Sequence, residues 1–466
     1  DVLAPAYDLS KLNQRSDSDI VLGVVDDPDH QAQTTDTFRP DERGHILYVG
    51  TGGSGKTTAL RTLAMAASVT PKGGPVHVYG LDFAGGGLSL LEPLPSVGSI
   101  IAGDDDERVS RLLSMLATWT VQRQARYSAA KAPTLTAYRH LAAAPHEPRI
   151  LVLLDGLESF KDAYDSALSQ QRTYSDFQTV VMDGRSVGIH FAVTADRLGA
   201  VPNSLSGAFQ QKLVLRLTDE DAYLSAGIPK NILNAQSPPG RCVQIGRSQE
   251  LQLAILGRNG TPSVQVSEID ELSRAVAAIH PVRPASVGSL PTRVAVSELP
   301  HALQGRPVVG IEDRSLAALA FDGEGTFVIA GPPRSGRSTA LHWFAASIRR
   351  WAPSVPLVHL SARPSRLTGL PQWQASVIGA DRVREYAGSQ LKPYVERDGG
   401  GKPLVAVFIE DLPELTGTVA DSELAEIVKL ARRNGHLVFA SGETSGFSAG
   451  FSSLTTEIKA GRAGVI

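Results

Sequence analysis

The sequence predicts an α/β protein of two tandem domains, each built on a central, mostly parallel sheet. Short apolar runs alternate with longer helical stretches, the pattern of parallel strands joined by helical crossovers. A glycine-bearing turn joins an apolar run to a helix once in each half, and the segments around the two turns recur in one order.

In the first half the run His45-Ile46-Leu47-Tyr48-Val49 leads through such a turn into a predicted helix over 57–67. Further apolar runs lie at 76–81, 150–154, 191–194 and 212–217. Between them, 104–132 has helical composition, with Leu112, Leu113, Leu116 and Trp119 at core-facing spacing. In the second half Thr326-Phe327-Val328-Ile329-Ala330 precedes a turn and a helix over 338–348, followed by runs at 357–360, 404–409 and 437–441. Flanking pieces pair as well: Gly23-Val24-Val25-Asp26 with Gly310-Ile311-Glu312-Asp313, Gly188-Ile189-His190-Phe191 with Gly435-His436-Leu437-Val438, and Gly240-Arg241 with Gly461-Arg462. Duplication explains the shared order. The proline-rich stretch 281–291 reads as the linker, which predicts domains at 1–284 and 285–466, the second shorter and ending inside its last strand.

A chain of 466 residues exceeds one hydrophobic core, and 42% hydrophobic with 20% charged residues is ordinary globular composition. The net charge of −3 offers no overall basic footprint for nucleic acid. One cysteine, Cys242, excludes an internal disulfide and suits a reducing compartment. No run approaches the roughly 18 apolar residues that span a bilayer, so direct membrane insertion by this piece is not expected. The chain opens on Asp1 rather than methionine, which reads as a piece of a longer protein.

Gly50-Thr51-Gly52-Gly53-Ser54-Gly55-Lys56-Thr57 fits the phosphate-loop pattern G-x-x-x-x-G-K-[ST] in the required strand–loop–helix context. Glycines let backbone N–H groups turn toward phosphate oxygens, and the helix N-terminus adds a favourable dipole. The predicted binders of ATP are Gly52, Gly53, Ser54, Gly55, Lys56, Thr57 and Thr58; Lys56 reaches the β- and γ-phosphates and Thr57 offers a hydroxyl to Mg²⁺. Asp155, at the end of the run 150–155, is the expected second metal-side group. Fast hydrolysis needs a carboxylate directly after it to orient water; Gly156 stands there, and Glu158 is the nearest acid. Asp155 and Glu158 are therefore the candidate catalytic groups, with slow turnover or none expected.

The second loop, Gly331-Pro332-Pro333-Arg334-Ser335-Gly336-Arg337-Ser338, replaces the lysine with Arg337, a bulkier planar cation. Its candidate nucleotide contacts are Arg334, Ser335, Gly336, Arg337, Ser338 and Thr339. The acidic run ends Glu410-Asp411, and the spacing leaves open which of the two is the metal-side acid.

With the loops, Asp155 and the later runs in place, the chain resembles the FtsK/SpoIIIE family, and within it the C-terminal ATPase modules of EccC/EssC-type type VII secretion proteins. Gly23 to Pro28, Gly184-Arg185-Ser186-Val187-Gly188-Ile189-His190, Leu215-Arg216-Leu217 and Pro238-Pro239-Gly240-Arg241 carry the likeness across most of both repeats. The resemblance implies RecA-like P-loop NTPase domains on the cytoplasmic side, tethered to the membrane's inner face through an N-terminal region outside this chain. It implies an ATP-binding module that regulates a secretion motor, works with other modules of the same ATPase, and docks small helical WxG-type proteins. Motor members carry Thr-Gln-Arg on the sensor strand; Thr194-Ala195-Asp196-Arg197 keeps only the arginine, and Ser441-Gly442-Glu443-Thr444 loses that too. Arg185, Arg197 and Arg216 are candidate arginine fingers, with ordinary salt bridges the favoured reading. The alternative function is a fragment of a DNA translocase, which the negative net charge and the eroded second loop disfavour.

Overall fold

The computed structural model describes residues 3–70, 72–165, 170–218, 220–229, 232–279, 283–313, 315–321, 325–448 and 452–465. The chain divides into two compact units, Asp1–Ser289 and Leu290–Ile466. Pro281 and Val282 of the expected linker, and the terminal Ile466, lie outside the described residues. The linker's later part lies on the first unit: Tyr79 Oη donates to Ala285 O (2.9 Å) and Val287 N to Ser99 Oγ (2.8 Å), which moves the division past the expected residue 284.

The first unit holds a ten-stranded sheet of β1 (Ile20–Asp27), β2 (Ala32–Phe38), β3 (Ile46–Val49), β4 (Val76–Asp82), β5 (Val97–Ala102), β6 (Arg149–Asp155), β7 (Ile189–Ala195), β8 (Gln211–Val214), β9 (Arg241–Gln244) and β10 (Glu250–Leu253). Its order is β2-β1-β10-β9-β8-β3-β7-β6-β4-β5. The strands from β8 to β5 pair in parallel, and the four at the other end pair antiparallel. Alternation along β3 sends Leu47 and Val49 to one core and Ile46 and Tyr48 to the other. Helices cover both faces, which is why the parallel strands read as continuous apolar runs.

The second unit contains β11 (Ala302–Leu303), β12 (Arg306–Ile311) and β13 (Ala318–Ala320) in a small antiparallel sheet. Its main sheet comprises β14 (Gly325–Ala330), β15 (Leu357–Ser361), β16 (Ala375–Ile378), β17 (Ala406–Glu410), β18 (Leu437–Gly442) and β19 (Ala463–Val465), all parallel, in the order β16-β15-β17-β18-β14-β19. That order repeats β5-β4-β6-β7-β3-β8 strand for strand. The flanking hairpins repeat too, with a register shift ending at Gly23 in β1 and at Gly310 in β12.

One expected pairing fails. Gly461-Arg462 leads into β19, which joins the edge of β14 as β8 joins β3. Its structural counterpart is therefore the entry to β8 and not Gly240-Arg241, which opens the antiparallel β9. Two residues are too short a signal to choose between consecutive strands.

Candidate functional site

In the first unit the phosphate loop links β3 to the helix Lys56–Ser68. Gly55 turns the chain into this helix at φ +104°, and a side chain there would also strike the backbone of Gly240, 2.8 Å from an ideal Cβ. Lys56 Nζ donates to Gly50 O (2.5 Å), Thr51 O (3.1 Å) and Asp196 Oδ1 (2.9 Å). The Thr57 hydroxyl donates to Asp155 Oδ2 at 2.6 Å, and the Thr194 hydroxyl to Asp155 Oδ1 at 2.5 Å. Burial raises the Asp155 carboxyl above the ordinary aspartate value; the two threonine hydrogen bonds and Lys56 oppose the rise, while Asp82 adds to it.

These groups border a cavity of about 530 Å³ that also meets Gly52, Gly53 and Thr58. Ser54 is buried beneath the loop, close against Gly50. Gly156 takes φ +90° and its N–H donates to Thr194 Oγ1 (2.8 Å), so the place directly after Asp155 carries no acid. Glu158 borders the cavity, but one of its oxygens accepts the Asp196 N–H at 2.8 Å.

The donor set fits Mg-ATP. A lysine held by loop carbonyls, a hydroxyl–carboxylate pair at the helix start and an open glycine cradle are what a nucleotide's phosphates and a hard dication require. The raised proton affinity of Asp155 is that of a buried carboxylate short of positive charge.

Sequence reasoning missed the loop after β4. Asp82, in register with Asp155, accepts N–H groups from Ala84 (3.2 Å), Gly86 (3.0 Å) and Leu88 (2.8 Å). That folds Phe83 and Ala84 onto the cavity and sets Gly87 against Thr57, where a Cβ would lie 2.6 Å from the threonine methyl. The available signal was a triple glycine beginning three residues after a strand-terminal aspartate. The arginines divide differently than expected. Arg185 donates to the carbonyls of Asp41 and Glu42, and Arg216 donates to Gly53 O of the phosphate loop (3.1 Å), so among the described residues neither makes the favoured carboxylate bridge.

In the second unit the loop keeps its shape with arginine at two of its positions, 334 and 337. Arg334 holds φ +67° where Gly53 holds +69°, a left-handed conformation that glycine adopts freely and arginine does not. Ser335 packs against Gly331 as Ser54 does against Gly50, Gly336 (φ +95°) starts the helix Arg337–Trp351, and Thr339 is exposed. Ser338 Oγ donates to Glu410 Oε1 at 2.7 Å, so Glu410 stands where Asp155 stands. Asp411 takes the place of Gly156, with φ +47° and its N–H on Ser441 Oγ (3.2 Å). Burial would raise the Glu410 carboxyl, but hydrogen bonds from His359, Ser365 and Ser338 outweigh it and hold it below the ordinary value. The buried His359, stacked on Trp373, and Ser365 are partners that no spacing pointed to. Arg337 Nη1 lies 3.4 Å from Asp411 Oδ1; burial raises the Asp411 carboxyl and Arg337 opposes it.

Comparison with known proteins places this geometry. The chain is 24% identical over 471 residues to the ESX secretion system protein EccC of Geobacillus thermodenitrificans, covering 94% of this chain and 31% of that protein. It is 24% identical over 410 residues to EccCb1 of the Mycobacterium tuberculosis ESX-1 system, covering 83% and 67%. It spans about a third of the first curated relatives it matches (31%). The solved structure of ATPases 2 and 3 of Geobacillus thermodenitrificans EssC superposes with a TM-score of 0.74 at 20% identity, over 100% of this chain and 91% of that one. ATPases 2 and 3 of Thermomonospora curvata EccC, in complex with a signal sequence peptide, give 0.71 at 21%, over 100% and 89%. These structures share the tandem ATPase fold. Residues 9–258 match the profile of the FtsK/SpoIIIE family, more than half of the chain, and the chain belongs to that family.

Proposed function

We propose that this chain is the tandem ATPase module of a type VII, ESX-like protein secretion motor, holding Mg-ATP in its first domain and turning it over slowly or not at all. The observation that carries the reading is the Thr57–Asp155 pair beside Lys56, set in an open cavity, with Gly156 where a water-orienting acid would stand. Loop N–H groups and Lys56 bind and orient the phosphates, and Thr57 and Asp155 hold the dication side. Magnesium, when bound, neutralises charge on the β- and γ-phosphates. Glu158 is partly committed to the Asp196 N–H, which leaves the attacking water without a free, adjacent base.

The tandem module as a whole serves regulation and docking. Glu410 already accepts from three side chains, and Arg337 fills the lysine's place while facing Asp411, so this loop is a retained scaffold and not a second Mg-nucleotide site. The relatives named as ESX secretion proteins, and an EccC solved with a signal sequence peptide, support small helical WxG-type proteins as the docked partners. On this reading the module lies on the cytoplasmic side, beside other modules of the same ATPase and held to the membrane by a region outside this chain. No helix among the described residues is long and apolar enough to cross a membrane.

Equilibrium binding of Mg-ATP to the chain and to Lys56→Ala, with phosphate release measured on the same samples, tests the reading. One nucleotide per chain, lost in the variant, with turnover far below typical enzyme rates of about 1–1,000 s⁻¹, is expected. Equal, negligible binding by both proteins sinks it.

A further inference from the structure

Lys56 uses all three of its ammonium protons inside the protein, and the third goes to a carboxylate. Two bonds run to the loop carbonyls of Gly50 and Thr51; the last reaches Asp196 Oδ1 at 2.9 Å. Asp196 directly follows β7 and borders the same cavity as Lys56. The two partners are unequal. The lysine side chain is 14% exposed and fixed, whereas the Asp196 side chain is 72% exposed and has solvent to swing into. Its backbone is anchored separately, through the N–H bond to Glu158, so the carboxylate can leave without the strand end moving.

A nucleotide triphosphate brings its terminal phosphate to this ammonium. That phosphate would share Lys56 with a carboxylate already in hydrogen-bond range. A diphosphate places fewer charges there and leaves room for the Asp196 bond to persist.

We propose that Asp196 is a specificity-determining residue of the first site, an intramolecular anion on Lys56 that penalises the γ-phosphate and narrows the preference for ATP over ADP. The proposal rests on the nucleotide-binding reading of this site. Asp196 must swing off Lys56 when a triphosphate enters, and can stay when a diphosphate does. Neighbouring charges allow this. Among the described residues the ion pair of Asp196 is with Lys56, and Asp155 is turned to Thr57 and Thr194.

The test measures ATP and ADP dissociation constants, each with Mg²⁺, by titration calorimetry on the whole chain and on Asp196→Asn, Asp196→Glu and Lys56→Ala. Asn keeps the size and removes the charge at an exposed position. Asp196→Asn is expected to tighten ATP on the order of tenfold, the lower end of what one close like charge does to an ionic equilibrium. ADP should change by less than about threefold, and Asp196→Glu should behave as wild type. Because the group is exposed, the gain should shrink toward unity in 1 M salt, where the screening length falls to about 3 Å. Equal changes for both nucleotides, no change, or a gain that persists in high salt would each overturn the role of Asp196 while leaving the site intact. Lys56→Ala separates the two ideas: if wild type and every variant bind neither nucleotide, the site reading itself fails and the inference with it.

Discussion

The Ser338 hydroxyl donates to the Glu410 carboxylate at 2.7 Å, the bond that Thr57 makes to Asp155 at 2.6 Å in the other half of the chain. The copies therefore agree on where the helix-start hydroxyl meets the strand-end acid, and differ in what else that acid touches. Asp155 accepts from two threonines and faces a carboxylate in register on β4. Glu410 accepts from two serines and a histidine, and Ser361 replaces the facing carboxylate. One acid is left short of positive charge; the other is satisfied.

Asp155→Asn should separate dication binding from phosphate binding. The amide keeps the shape and still meets Thr57, but it removes the charge that a dication needs. Nucleotide affinity in EDTA should stay within about twofold of wild type, while the gain from adding Mg²⁺ falls by about 10–100-fold, the usual loss when an outer-shell metal partner is removed. Titrations with and without Mg²⁺ check this. An unchanged Mg²⁺ gain would place the metal-side acid elsewhere.

Gly156 lies in the left-handed region at φ +90°, and an ideal Cβ there would sit 3.2 Å from the carbonyl carbon and oxygen of Phe83. Gly156→Ala should therefore cost about 1–2 kcal/mol of stability, read as a lower denaturant midpoint. The same constraint bears on engineering: Gly156→Glu, meant to install a water-orienting acid, starts from at least that deficit. A variant as stable as wild type would show that this turn relaxes freely.

Much of this was legible because strong local chemistry and strand order are written in sequence. The pattern ending Gly55-Lys56-Thr57, the apolar run into Asp155 and the repeated order of β3, β4, β6 and β7 all stand where spacing put them. What escaped depends on pairing across long separations. Lys56 and Asp196 are 140 residues apart, so their contact follows from strand β7 lying beside β3 and not from either motif. Glu410 and Asp411 are adjacent, and only the parallel register of β17 decides which one meets Ser338. Gly461-Arg462 misled because a dipeptide carries less information than the sheet edge it feeds.

Arg337→Lys alone should not create a second nucleotide site. The substitution restores a compact ammonium, yet Glu410 keeps its bonds to Ser338, His359 and Ser365, and Asp411 remains to pair with the new lysine. Calorimetric stoichiometry should stay at about one nucleotide per chain, with affinity unchanged. A second binding step in this variant would show that the lysine was the only missing part.

Two buried histidines contribute to the acid limb of stability. Burial holds His45 down at about 4, against the hydrogen bond of its Nε2 to Val181 O and with Arg185 lowering it further. Burial, Arg149 and His45 likewise hold His190 well below the ordinary value. In the unfolded chain each imidazole protonates near pH 6.5, whereas in the folded chain it stays neutral. The sign follows: above pH 6.5 neither state is charged and stability is unaffected, and as pH falls from about 6.5 toward 4 the unfolded state takes up protons that the native state refuses. For His45 the span is worth on the order of 3 kcal/mol. His45→Gln removes this titration at the price of a less well satisfied core, so its deficit relative to wild type should narrow as pH drops from 7 to 4.5. Urea unfolding of both proteins across that range measures the gap, and a constant gap would mean that His45 is charged in the folded protein or shielded in the unfolded one.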